Sequence, residues 1–417
     1  MSETRPPERP GAGPSGVPTA PPPARSADRT RSRGRRIPWV DVITTVAAII
    51  LAFLVGAFLM IVSDTDVRST FAYFFARPSD ALAASWDKVS SAYGALMTGS
   101  LGSWQAITET TAQAAPLICA GLGVGLAFRA GLFNIGAQGQ AIWGAILAAY
   151  VGFTLHLPPV LHLLVAILAG VVGGGIWGGI VGWLKARTGA HEVIVTIMMN
   201  YIAAGLLAFF LTTTAFQRPG RTDPISPIID WNATFPRLAG SQLHIGFVVA
   251  LVAAAAVWWI LDRSTIGFAI KAVGANPNAA ATAGMSVGTT TIITMTLAGA
   301  LAGLAGVQAA LGPSASGVPV PLSAGIVGSI GFDAITVALL GRSKPLGTVL
   351  AGLLFGALHA GGLAMQSIAQ TPLTLTTVLQ ALIVLFVAAP ALITKIIPFV
   401  RTRKVRPVGP TTEGGLA

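Results

Sequence analysis

The sequence predicts an all-α fold, a polytopic membrane helix bundle of about ten spans with both termini cytoplasmic. Of its 417 residues, 53% are hydrophobic and only 10% charged, too little polar surface to cover a soluble globule of this size. Apolar runs of about twenty residues recur along the chain, the length a helix needs to cross a bilayer. The basic residues fix the orientation. With the N-terminus inside, 20 of the 26 Lys and Arg residues are cytoplasmic, and only Arg68, Arg77, Lys88, Arg218, Arg221 and Arg237 fall outside; the inverted arrangement reverses the bias. The net charge of +11 does not point to nucleic acid, because the cations are spread through loops and tails without interleaved aromatics. The single cysteine, Cys119, sits in an apolar run, which excludes an intramolecular disulfide and suits a packing residue.

Residues 1–36 are rich in Pro, Gly, Ser and Arg and have no apolar periodicity, so a disordered cytoplasmic tail is expected, held to anionic membrane lipid by Arg31, Arg33, Arg35 and Arg36. The transmembrane domain is expected over 37–394. Span one, Ile37 to Val62, is too long for a signal-peptide core. Asp64 to about Thr111 is mixed in character and reads as an external loop with one surface-lying helix. Spans two to five follow at about Ala112–Phe128, Leu132–Phe153, Val160–Leu184 and Glu192–Ala215. The fourth is dense in glycine, which permits close helix contact. The proline-bearing segment Phe216–His244 reads as external. Spans six and seven are about Ile245–Leu261 and Thr291–Leu311, spans eight to ten about Ala324–Leu340, Leu346–Met365 and Leu373–Ile393, and residues 395–417 form a basic cytoplasmic tail.

Three stretches carry polar groups into this apolar setting. Gly121–Gln140 places Asn134, Gln138 and Gln140 where an unpaired amide costs about 2 to 7 kcal/mol, so they face other helices or a water-filled path. Four residues apart, Asn134 and Gln138 would share a helical face, with Gln140 pointing elsewhere. Amides both donate and accept, which suits a polyhydroxylated ligand; interhelical packing accounts for the same residues more plainly. Asn200 and Tyr201 interrupt span five, and Phe133 and Tyr201 offer rings for stacking. Residues 266–288, IGFAIKAVGANPNAAATAGMSVG, read as an inner loop containing a short helix, with Asn276 as its cap and Pro277 in its first turn. Asp333 is an intramembrane carboxylate in GFDAITVALLG, a functional residue by default or else a structural acceptor. Gly131, Gly136 and Gly139 allow close backbone contact or a helix break, and the short or glycine-broken runs near Asn134 and Gly331 also suit re-entrant segments. A weak echo between FNIGAQGQ and GFDAITVALLG hints at an internal repeat.

GLFNIGAQGQ, the inner loop and GFDAITVALLG occur in the order found in permease subunits of bacterial ABC importers for branched-chain amino acids, ribose and nucleosides. The chain resembles the simple-sugar and nucleoside group of that family from about Ala106 to Pro390. It departs from the usual pattern at Gln138, where the family more often has a carboxylate, and at Ala281–Thr282, where an Arg-Tyr pair is common. The resemblance implies a plasma-membrane permease that carries nucleosides or simple sugars, with Phe133, Asn134, Gln138, Asn200, Tyr201 and Asp333 along the substrate path. It implies that Gly274, Asn276, Pro277, Ala279, Ala280 and Gly284 dock on a cytoplasmic ATP-binding subunit. Further implied partners are a second, different permease and an extracytoplasmic solute-binding lipoprotein. The chain has no G-x-x-x-x-G-K-[ST] phosphate loop, so it is expected to be no enzyme itself, with ATP hydrolysed by the partner. No cofactor or metal is expected: His191 and Glu192 are adjacent, with no H-E-x-x-H spacing. The competing reading is an ion-coupled secondary transporter that uses Asp333.

Overall fold

A computed structural model describes residues 38–238, 241–314 and 316–388; the two expected tails, 1–36 and 395–417, lie outside the described residues. Within them are fourteen α-helices: α1 (Pro38–Ser63), α2 (Thr65–Phe71), α3 (Pro78–Leu101), α4 (Trp104–Arg129), α5 (Ala137–Thr154), α6 (Pro159–Thr188), α7 (Glu192–Phe210), α8 (Ile245–Arg263), α9 (Thr265–Ala275), α10 (Pro277–Thr282), α11 (Val287–Leu311), α12 (Ile330–Leu340), α13 (Pro345–Ala369) and α14 (Leu373–Ala388). The described chain is all-α, with only two isolated β-bridges besides.

Seven of these helices, α1, α4, α6, α7, α8, α11 and α13, are long and apolar enough to cross a membrane. The expectation of about ten spans is therefore met in part. Span three starts five residues late, at Ala137, because Gly131 takes a left-handed backbone (φ +72°) and ends the preceding helix. Span eight is helical only over its last 11 residues. At 1.5 Å per residue α12 is about 16 Å long, half of what a ~30 Å hydrocarbon layer requires. Its missing half is a run of turns in which Gly328 has φ +52°. The external segment before span two contains a 24-residue helix, α3, that buries Ala92, Ala95 and Leu96 and sets Gly99 against Gly361 and Ala364 of α13. A helix is expected in this segment, but lying on the surface; Asp80, Asp87 and Lys88 in its first turns account for that expectation.

The tightest packing joins α5, α6 and α11. A methyl group on Gly144 would stand 2.2 Å from the Gly303 carbonyl oxygen, so the helix backbones touch directly. This contact belongs to a large core shared by α4–α8, α11 and α12, in which Cys119 is buried and receives a bond from Gln308 Nε2 at 3.1 Å. A second, smaller core lies between α1, α3, α13 and α14, built on Ala52, Leu96, Leu358, Met365 and Ile383. A small cluster of Leu117, Val337, Ala351 and Phe355 links the two.

The helix ends define two faces. Arg129, Lys185, Arg263 and Lys344 sit at ends that come together on one face: Arg129 Nε donates to the Ser343 carbonyl, and Gly274 of α9 abuts the Arg129 carbonyl. Lys185 and Glu192 pair across the turn between α6 and α7 at 2.6 Å. The segment 216–244 covers the other face, where Phe235 N donates to the Leu311 carbonyl at 3.0 Å.

Candidate substrate site

The break between α4 and α5 is held by amides. Asn134 Oδ1 accepts from Gly136 N at 3.0 Å, closing a local turn that replaces the missing helical bonds. Its side chain also exchanges bonds with Gln140, Nδ2 to Oε1 at 3.1 Å and the reverse at 3.3 Å. Asn200 of α7 reinforces the same corner: Oδ1 accepts from Gly139 N at 2.8 Å, and Nδ2 donates to the Ile135 carbonyl at 3.0 Å. Asn134 and Gln140 are completely buried. The expected helical face shared by Asn134 and Gln138 is absent, because residue 134 precedes the helix and the turn swings it onto Gln140 instead.

Gln138 points the other way and joins the two broken helices. Its Nε2 donates to the Gly328 carbonyl at 2.7 Å, and its Oε1 accepts from Gly331 N at 2.8 Å. A carboxylate could make the second bond but not the first, which accounts physically for an amide here. Gly331 is needed because a methyl group on it would lie 2.2 Å from Gln138 N. The echoing stretches FNIGAQGQ and GFDAITVALLG are thus in direct contact.

Ser329 immediately precedes α12 and Asp333 lies in its first turn, with Ser329 Oγ donating to Asp333 Oδ2 at 2.7 Å. Both line a cavity of about 280 Å³, together with Gln113 and Pro116 of α4 and His359 of α13. Gln113 is oriented by Glu109, which accepts from its Nε2 at 2.9 Å. Pro116 cannot donate to the Ala112 carbonyl, so the helical ladder of α4 is interrupted beside the cavity. The volume is close to the lower end of small-molecule sites, roughly 300 Å³. Four side chains there, on Gln113, Ser329, Asp333 and His359, can bond to hydroxyl or ring-nitrogen groups.

The sequence-predicted residues therefore separate. Asp333 lines the cavity, and Gln138 holds the turn that forms its wall. Asn134 and Asn200 pack behind Gln138. Phe133 is 43% exposed and rests on Phe128, with ring centroids 5.1 Å apart, while Tyr201 is 72% exposed on the outer surface of α7. Sequence reasoning missed His359, although it is the one ionisable residue within α13 and the argument that singled out Asp333 applies equally to it. Gln113 and Glu109 went unnoticed because they straddle the expected start of span two.

On the basic face, α9 and α10 form a short hairpin. Ser264 caps α9, and Asn276 Oδ1 caps α10 by accepting from Asn278 N and Ala279 N at 3.0 and 3.1 Å. Pro277 fills the first position of α10. Ala280 is buried, whereas Pro277, Ala279 and Gly284 are exposed, giving a small uncharged knob. Gly274 seats the hairpin, since a methyl group there would stand 2.0 Å from the Arg129 carbonyl oxygen.

The family described as branched-chain amino acid transport system / permease component matches residues 106–388. The chain is 37% identical to the guanosine ABC transporter permease protein of Bacillus subtilis, over 82% of this chain and 91% of that one. It is 36% identical to the nucleoside ABC transporter permease protein of Lactococcus lactis, over 73% and 85%. With the glucose ABC transporter permease protein of Haloferax volcanii the identity is 32%, over 84% and 88%. No solved structure matches the chain. The match spans both broken helices, the cavity and the α9–α10 hairpin, and the chain belongs to this family of multi-pass membrane permeases of ABC transporters.

Proposed function

We propose that this chain forms one half of the transmembrane path of an ATP-driven importer in the plasma membrane, and that its substrate is a nucleoside rather than a simple sugar. Family membership favours ATP-driven transport over an ion-coupled carrier built on Asp333. Nucleosides are favoured because relatives named for guanosine and nucleosides are 37% and 36% identical, against 32% for one named for glucose. The basic face is cytoplasmic by the positive-inside rule. The α10 knob, with Asn276, Pro277, Ala279 and Gly284, docks on an ATP-binding subunit there, and Gly274 and Ala280 seat it. A solute-binding lipoprotein delivers substrate to the opposite face. A second, different permease closes the open side of the path.

The observation that carries the reading is the cavity at the start of α12. Ser329, Asp333, Gln113 and His359 converge where two helices break, a site construction common in transporters. The Asp333 carboxylate accepts from ribose hydroxyls, and Gln113 and His359 serve donors and acceptors of the base. Asn134 and Asn200 serve as scaffold for the turn between α4 and α5 and lie off the path.

The test is uptake of labelled guanosine and labelled glucose by cells with and without the gene, with ATP depleted while the ion gradient is maintained. Guanosine uptake that requires the gene and stops on ATP depletion is the expected result. Gene-dependent uptake that survives ATP depletion and fails with the gradient rejects the importer reading, and gene-dependent uptake of glucose alone rejects the substrate.

A further inference from the structure

We infer that the chain carries a binding site for an anionic phospholipid headgroup on its basic face, in the cavity between the ends of α4 and α8 and the start of α13. This site is separate from the substrate cavity and does not depend on the proposed substrate. The cavity measures about 400 Å³ and is lined by Arg129, Lys271 and Lys344, with Trp258, Leu261 and Leu346 among its apolar members. Three cations thus converge on it. Its one carboxylate, Asp262, is engaged by Lys271 at 3.2 Å, so the cavity keeps a net positive charge. Arg129 is steadied by its Nε bond to the Ser343 carbonyl at 3.0 Å, which fixes the plane of a guanidinium suited to phosphate oxygens.

The apolar surroundings select a lipid over a soluble anion. A phosphate ion needs only the charges, whereas a phospholipid needs charges at the helix ends and apolar surface leading away from them. Both are present in that order. From the rim, α8 exposes Trp258 and, two turns back on the same face, Leu251, at 50% and 40%, and α13 exposes Leu346 and Leu350, at 73% and 60%. Indole rings at such a boundary are typical of the membrane interface, and basic pockets between helices on the cytoplasmic side take anionic headgroups. A zwitterionic headgroup brings its own cation into a positive cavity and is disfavoured.

Native mass spectrometry of the purified full-length chain, titrated with phosphatidylglycerol or phosphatidylcholine, tests the inference. Phosphatidylglycerol should bind at least about tenfold more tightly. Lys271→Gln with Lys344→Gln should weaken it about 30-fold, roughly fivefold for each cation removed. Arg187→Gln, on the same face at the end of α6 and outside the cavity, should change nothing. Equal binding of the two lipids, or an equal loss in Arg187→Gln, overturns the inference. Displacement of phosphatidylglycerol by millimolar inorganic phosphate also overturns it, by marking a site for the free ion. Should the double variant fail to melt cooperatively, Lys344→Gln alone decides: a fivefold loss supports the site, and unchanged affinity rejects it.

Discussion

The side-chain amides of Asn134 and Gln140 bond to each other in both directions, at 3.1 and 3.3 Å, in a position with no exposure to solvent. Truncating either one strands the other's donor and acceptor in an apolar interior, at about 1–3 kcal/mol for each orphaned group. Asn134→Ala also removes the acceptor for Gly136 N. The variant should melt several degrees below wild type while the apparent affinity for substrate in the folded fraction is unchanged. An altered affinity with an unaltered melting temperature would move Asn134 from the scaffold to the path.

Asp333 and His359 should behave in the opposite way. Loss of a charged hydrogen bond is worth about 1.5–3 kcal/mol, so Asp333→Ala should cut uptake at least about tenfold with normal amounts of protein in the membrane. Ser329→Ala, which removes only the orienting bond at 2.7 Å, should cost a few-fold. His359→Leu should change which nucleosides compete for uptake more than it changes the maximal rate. Full uptake by Asp333→Ala would exclude the cavity from the path.

Two glycines give opposite signs for one substitution. A methyl group on Gly306 of α11 would fall 1.8 Å from the Ala141 carbonyl oxygen, where only backbone movement can make room. Gly306→Ala should destabilise the fold by about 1–3 kcal/mol or more. Gly205 of α7 has nothing within 4 Å of the added carbon, so Gly205→Ala should stabilise by about 1 kcal/mol through helix propensity alone. Melting temperatures of the two purified variants check both.

His244 caps α8 through Nδ1, which accepts from Gly246 N at 3.1 Å, and its ring stacks on Phe235. Burial, assisted by the nearby Arg237 charge, pushes its pKa down to about 4 from 6.5. The folded chain therefore holds this imidazole neutral where the unfolded chain protonates it. Stability should be fully present above pH 6.5, fall by about 3 kcal/mol as pH drops towards 4, and level off below. His244→Asn keeps an acceptor for the cap and should remove this part of the pH dependence of melting; an unchanged profile would reject the assignment.

Asn276→Ala should cost about 1 kcal/mol of local helix stability by removing the cap of α10. In a reconstituted transporter it should lower substrate-stimulated ATP hydrolysis severalfold, and Asn276→Asp should restore it. Loss of uptake with ATP hydrolysis unaffected would separate the knob from ATP coupling.

The long helices were legible because a run such as Val287–Leu311 leaves no alternative in hydrocarbon. So was the α10 cap, where Asn276–Pro277 announces a helix start from local chemistry. The breaks were legible as places, in the glycine-broken runs near Asn134 and Gly331, but not in their extent. Periodicity carried span three back to Leu132 and span eight back to Ala324, since Leu132, Ile326 and Val327 are as apolar as any helical residue. What stops the helices is the left-handed backbone at Gly131 and Gly328, and among so many glycines composition does not reveal which ones adopt it. The mutual Asn134–Gln140 bond was illegible for the same reason, because it exists only once the intervening chain is not helical. Asp333 could be singled out alone. Its neighbours Gln113 and His359 come from helices more than 200 residues apart in the chain, and only the fold brings them together.

The two cores meet along α4, α12 and α13, and the cavity lined by Asp333 sits on that seam, with Gln113 and Leu117 on one side and His359 on the other. Beside the cavity the seam is closed tightly: a methyl group on Gly356 of α13 would stand 2.6 Å from the Thr110 carbonyl oxygen of α4, and one on Gly352 would stand 2.5 Å from Ile118 Cγ1. Any side chain added at either position therefore disturbs both cores at once.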